Sequence, residues 1–163
     1  MARPRPDDFI YGAKEVQQLI VDAAAIRDAG AHGVVYGVLS RDGTIDDEAV
    51  TSIEQLCSGI DTVFHRAFDS TPDPREALDT LVSCGLTRVL TSGHAVTAAG
   101  GVAALATLNA QAARQIQILP GGGIRAHNVA EIVRRTGVTQ IHARGTEPGV
   151  IAGIRAALQE ANG

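Results

Sequence analysis

The chain has 163 residues, a length that suits one domain of ordinary size, spanning residues 1–163. Its formal net charge of −4 and its aromatic content of 3% argue against a nucleic-acid partner, whether bound by charge or by base stacking. Hydrophobic residues at 45% and charged residues at 20% fit a packed globule and exclude a disordered chain.

In chain order, residues 13–29 carry Val16, Leu19, Ile20, Ala23, Ala24 and Ile26 near helical spacing, which predicts a helix. Residues 33–39 form a run rich in β-branched side chains and predict a strand. Residues 46–56 return to helical spacing with Val50, Ile53 and Leu56. A strand is predicted at 62–66, and then a helix at 73–84 with Asp73 as its N-cap and Pro74 at its first position. A strand at 88–91, a helix at 96–108, a strand at 116–119, a helix at 128–135, a strand at 140–143 and a helix at 149–161 complete the chain. Gly30, Gly85 and Gly137 each stand just past a helix, where a left-handed cap calls for glycine.

The five strands begin 29, 26, 28 and 24 residues apart. That rhythm is βα repetition with right-handed crossovers and a parallel sheet. A repeat of about 27 residues gives about six units in 163 residues, two short of an eight-unit barrel. An open doubly wound sheet, a part of a barrel, or a barrel completed between chains all satisfy this arithmetic. No apolar stretch is long enough for a transmembrane helix. The opening MARPRPDDF has no apolar core, so no signal peptide is expected. Two cysteines, Cys57 and Cys84, and one methionine make no disulfide framework. A reducing cytoplasm is the expected setting.

The predicted strands end in polar or glycine-rich stretches, where parallel α/β proteins place their sites. Gly121, Gly122 and Gly123 precede a helix, and their backbone amides suit a phosphate or carboxylate; a tight βα turn accounts for them equally. Thr91, Ser92 and Gly93 offer hydroxyls and open backbone, or else a helix-capping turn. His65, Arg66 and Asp69 form a compact charged group. On a continued strand His65 and Ala67 would face one way, with Arg66 and Phe68 the other. The group suits an acidic ligand or an internal ion-pair layer. His142 and Arg144, two apart, share a face; His142 is a candidate acid/base or a satisfied structural histidine. Arg3 and Arg5 alternate on one face, as an acidic ligand would need, or belong to a solvated terminus. Metal-ligand spacing is poor, with no Cys-x-x-Cys and no His-x-x-x-His. Cys57 and Cys84, 27 residues apart, fall near helix ends away from the strand tips and read as buried or cap-adjacent residues. No nucleophile–base pair stands out, so whether the chain is an enzyme stays open.

Taken together, these phrases resemble the CutC family. The resemblance rests on Arg3-Pro4-Arg5 with Asp8, Phe9 and Tyr11, on Gly30-Ala31-His32-Gly33 through Leu39, on Phe64-His65-Arg66-Ala67-Phe68-Asp69, on Arg88-Val89-Leu90-Thr91-Ser92-Gly93, on Pro120-Gly121-Gly122-Gly123-Ile124, and on Asn128 and Ile141-His142. It implies an α/β fold of the TIM (β/α)8-barrel type, incomplete here with about six of eight βα units, a cytoplasmic location, and a part in copper homeostasis with copper as the ion handled. It also implies that relatives carry two further βα units ahead of Arg3-Pro4-Arg5. The cysteines proposed to bind copper in the family lie in that region, and neither Cys57 nor Cys84 matches them. Convergent Arg, His, Ser/Thr and Gly at strand ends point instead to a small anionic or phosphorylated ligand. Strand edges left open by missing units predict association of copies into a homo-oligomer.

Overall fold

The computed structural model describes residues 1–162. The chain divides into two compact units, 1–89 and 90–163. The first unit holds α1 (Ala13–Asp28), β1 (Gly33–Tyr36), α2 (Asp47–Leu56), β2 (Asp61–Phe64), a 3-10 helix (Arg66–Ser70), α3 (Pro74–Ser83) and the first half of β3 (Arg88–Thr91). The second half of β3 opens the second unit, which continues with α4 (Val102–Ala112), β4 (Gln117–Pro120), α5 (Ala126–Thr136) and α6 (Val150–Asn162).

Local chemistry sets the helix ends. The Asp46 carboxylate accepts from Ala49 N at 3.0 Å and starts α2. Asp73 accepts from Arg75 N at 2.7 Å and Glu76 N at 3.3 Å, and Pro74 follows as the first residue of α3. At the other ends Gly30, Gly85 and Gly137 have φ of 79°, 86° and 69°, the left-handed caps expected of them. Cys57 and Cys84 are the C-cap residues of α2 and α3.

In the first unit β1 and β2 pair in parallel, Gly33 opposite Asp61 through Tyr36 opposite Phe64. β2 pairs in parallel with the start of β3, Val63 opposite Arg88 and Phe64 opposite Val89. A single parallel bridge joins Ile10 to Leu39. Alternate residues Val34, Tyr36, Thr62 and Phe64 are fully buried, together with Leu19, Ile53, Leu78 and Leu81 from the helices. One half-buried polar group is well served: the Glu54 carboxylate of α2 accepts from the Tyr36 hydroxyl at 2.8 Å and the Thr62 hydroxyl at 2.7 Å. In the second unit Gly121 N donates to Thr91 O at 2.9 Å, seating β4 beside β3, and Leu105, Leu108, Ile118, Ile124, Val129 and Ile132 form the core.

Four expected elements differ, the first being the strand expected at 33–39, which ends at Tyr36. The strand expected at 140–143 is one parallel bridge, Gly121 to His142. The helix expected from 96 begins at Val102, because the backbone of Gly101 lies directly against the Ser92 carbonyl and the chain stays in loop until it has passed that contact. The strand expected at 62–66 ends at Phe64 and turns into the 3-10 helix. The strand-face alternation expected for His65, Arg66, Ala67 and Phe68 therefore does not hold: His65, Ala67 and Phe68 are all buried. No described helix is long and apolar enough to cross a membrane.

Candidate functional site

In the first unit the site is built around His65. It follows β2 directly and is the N-cap of the 3-10 helix, its Nδ1 accepting from Ala67 N at 3.2 Å. The imidazole packs 4.9 Å from the Phe9 ring and 6.2 Å from Phe64, centroid to centroid. Gly37 lies beneath it, and a Cβ there would stand 2.3 Å from His65 Nδ1. Burial, and secondly the charge of Arg3, push the His65 pKa down to about 4. The ring is thus neutral at pH 7. Because Nδ1 is occupied as an acceptor, the proton sits on Nε2, which is buried and has no hydrogen-bond partner.

Arg3 stands over the Phe9 ring, its guanidinium 4.9 Å from the centroid. Its Nε donates to Arg5 O at 3.0 Å and one Nη to Pro6 O, so the short N-terminal stretch holds it in place. Arg5 behaves differently from the paired cation expected beside Arg3. It is tied to Asp8 at 2.6 Å, Glu15 at 2.7 Å and Ile10 O at 2.8 Å. The hydrogen bond from Arg5 holds the Asp8 carboxyl below the usual range, and the Gly12 amide with Arg5 does the same for Glu15. Arg5 therefore braces the start of α1. Its guanidinium also covers the ring of Tyr11 at 5.3 Å. The Tyr11 hydroxyl is buried without a partner; Arg3 comes near enough to favour its ionised form, without hydrogen-bond geometry. Desolvation is the larger effect and raises its pKa. Arg66 and Asp69 form an ion pair at 2.7 Å, Asp69 the more buried partner. The sequence did not mark Tyr11, Phe9 or Gly37 as site residues.

The second unit arranges its strand ends otherwise. Thr91 Oγ1 accepts from Gly93 N at 2.9 Å, and the Ser92 hydroxyl donates to Ala95 O. Both hydroxyls shape their own loop. Gly121 is bridged to His142, and a Cβ on it would stand 2.5 Å from Leu90 Cδ1. Gly122 and Gly123 have φ of 101° and 72°. The Gly122 carbonyl accepts from Ala98 N at 2.9 Å, while the N–H groups of Gly122 and Gly123 have no acceptor among the described residues. Asn128 closes the start of α5, accepting from Arg125 N at 2.9 Å and donating to Gly123 O at 3.0 Å. The Arg125 guanidinium turns to Ile124 O at 2.8 Å. His142 and Arg144 are exposed, and Arg144 makes no ion pair among the described residues.

At the start of the strands in the first unit, Cys57 and Cys84 line one cavity of about 550 Å3 with Glu54. The sequence had set them apart; the fold brings both to one place. Burial raises the pKa of each thiol. Cys84 is further engaged by the Thr51 hydroxyl at 3.6 Å.

A family model described as the CutC family matches residues 1–147. The chain belongs to the CutC family. Among CutC relatives, a family protein CutC of Treponema denticola is 46% identical over 142 residues, covering 87% of this chain and 58% of the relative. The copper homeostasis protein cutC homolog of Mus musculus is 42% identical over 142 residues, covering 87% of this chain and 52% of that protein. This CutC chain thus spans little more than half the length of these relatives. A solved structure named for the copper homeostasis protein CutC of Streptococcus agalactiae aligns with TM-score 0.81 at 32% identity, over 86% of this chain and 69% of that one. A mandelate racemase/muconate lactonizing enzyme from Polaromonas, TM-score 0.68 at 18% identity, shares the fold alone, over 90% of this chain and 40% of that one. The fold class is α/β with parallel strands, of the TIM-barrel type. Among the described residues this CutC chain contributes four strands and two single parallel bridges to it.

Proposed function

We propose that the chain serves in copper homeostasis, as its CutC relatives are named for doing, and that it does so in the cytoplasm by binding a small anionic ligand at the strand ends of its first unit. One observation carries the anion: Nε2–H of His65 is buried and unpartnered, and the His65 ring packs against the same Phe9 ring that the Arg3 guanidinium covers. A buried donor without an acceptor costs about 1–3 kcal/mol, a cost that an incoming oxyanion removes. The nearby carboxylates are engaged, Asp8 and Glu15 by Arg5 and Asp69 by Arg66.

Direct capture of copper fits less well. Cu(I) favours thiolate and thioether ligands, and here burial pushes both thiols further from the thiolate form. Among the described residues no group of three His, Cys, Asp or Glu can hold a metal ion. Association of copies remains part of the proposal. It is supported by the lone bridge at Ile10, a side chain 39% exposed, and light scattering during size-exclusion chromatography tests it.

Thermal unfolding with millimolar inorganic phosphate or pyruvate tests the anion site. Either anion should raise the melting temperature of the wild-type chain, and Arg3→Gln should abolish the rise. No anion-dependent rise in the wild type rejects the reading.

A further inference from the structure

Two side-chain polar atoms among the described residues are buried with no partner, the Tyr11 hydroxyl and His65 Nε2. Both side chains belong to one neighbourhood of the first unit. Tyr11 is 9% exposed and His65 5%. Packing gives no reason for either polar atom. A phenylalanine would fill the place of Tyr11 without an orphaned hydroxyl, and buried polar groups are rarely left unpaired in native proteins. Phe9 links the group, its ring 4.9 Å from the His65 ring and 4.9 Å from the Arg3 guanidinium, and the Arg3 charge bears on both His65 and Tyr11. The Ala67 amide fixes the His65 proton on Nε2, so that atom donates. The Tyr11 O–H supplies a second donor.

The charge around the cluster limits what these donors take. The Arg5 charge is met by Asp8 and Glu15, and the Arg66 charge by Asp69. That leaves Arg3, whose Nε and one Nη donate to backbone carbonyls. One cation beside two uncharged donors matches a singly charged ligand with two acceptor oxygens. A phosphate dianion calls for more positive charge than this. We propose that Tyr11 and His65 are paired hydrogen-bond donors for a small monocarboxylate held beside Arg3, a reading that rests on the anion-binding function given above.

The test compares wild type, Tyr11→Phe and Arg3→Gln in thermal unfolding, with pyruvate and inorganic phosphate as separate probes at equal ionic strength. Pyruvate should stabilise the wild type more than phosphate does. Tyr11→Phe should bind pyruvate about tenfold more weakly, the worth of one hydrogen bond. Without ligand it should melt no lower than the wild type, because the hydroxyl it loses has no partner. Wild-type pyruvate affinity in Tyr11→Phe, a lower ligand-free melting temperature, or tighter binding of phosphate would each overturn the donor pair. If phosphate then still stabilises the wild type and not Arg3→Gln, the anion site stands and only the pair falls. If neither anion stabilises the wild type, both fall.

Discussion

The two units end their strands in opposite ways. In the second, the hydroxyls of Thr91 and Ser92 and the side chain of Asn128 are turned inward on their own loops. What remains open is backbone, the amides of Gly122 and Gly123. In the first, two side-chain donors, the Tyr11 hydroxyl and His65 Nε2, are buried with no partner, and the charge of Arg3 bears on both. The lesson is that residue type alone does not mark a site. Ser, Thr and Asn at a strand end are short enough to satisfy the local backbone, whereas an imidazole wedged between Gly37 and Phe9 can reach only one backbone group.

Changing pH should separate the units most strongly. An unfolded histidine titrates near 6.5, and His65 in the folded chain near 4. Between those values the unfolded chain binds the extra proton, so stability is fully present above about pH 6.5 and falls as pH drops toward 4. A shift of this size corresponds to about 3 kcal/mol in total. Urea unfolding at stepped pH should show that slope in the wild type and a flatter one in His65→Phe. Equal slopes would remove the case for a buried neutral His65.

Gly37→Ala comes next. Its Cβ would meet His65 Nδ1 at 2.3 Å and Ala67 Cβ at 3.0 Å. Overpacking of this kind costs about 1–3 kcal/mol, and it should displace the imidazole and weaken pyruvate binding together. Calorimetry that finds unaltered affinity would place the anion elsewhere. In the second unit, Gly122→Val forces a β-branched residue to φ near 101°. That should cost about 1–2 kcal/mol and leave pyruvate affinity unchanged. If affinity falls with it, the glycine amides are the cradle and the two units have been ranked the wrong way round.

The smallest expected effect is with copper. Cys57 and Cys84 share a cavity, but burial raises the pKa of both thiols. Anaerobic Cu(I) titration against a chromogenic competitor should therefore show no sub-micromolar 1:1 complex. A tight complex lost in Cys57→Ser or Cys84→Ser would contradict this.

Much of the fold was legible because its signals are local. Asp73 with Pro74, and the glycines past three helices, act within one turn of chain, and the structure places each in the role expected. The late start of α4 was not legible, since it depends on Gly101 meeting Ser92 across a loop. The strand at 140–143 was overestimated because an apolar pair reads alike whether it makes one bridge or a ladder. At the site, His65, Arg66 and Asp69 stood out by composition. Arg5 looked equivalent to Arg3, because an ion pair to Glu15, ten residues on, leaves no mark on the local pattern. Tyr11 was passed over for a similar reason: a hydroxyl becomes informative only when the fold buries it and withholds a partner.

The central claim is that His65 presents an N–H donor at Nε2 to an anion beside Arg3. Long-range proton–nitrogen NMR of the imidazole at pH 7 measures this directly. A neutral ring is expected, protonated at Nε2 and bare at Nδ1, whose Nε2–H signal moves as pyruvate is added. A ring protonated at Nδ1, a doubly protonated ring, or an Nε2–H signal indifferent to saturating pyruvate would contradict it.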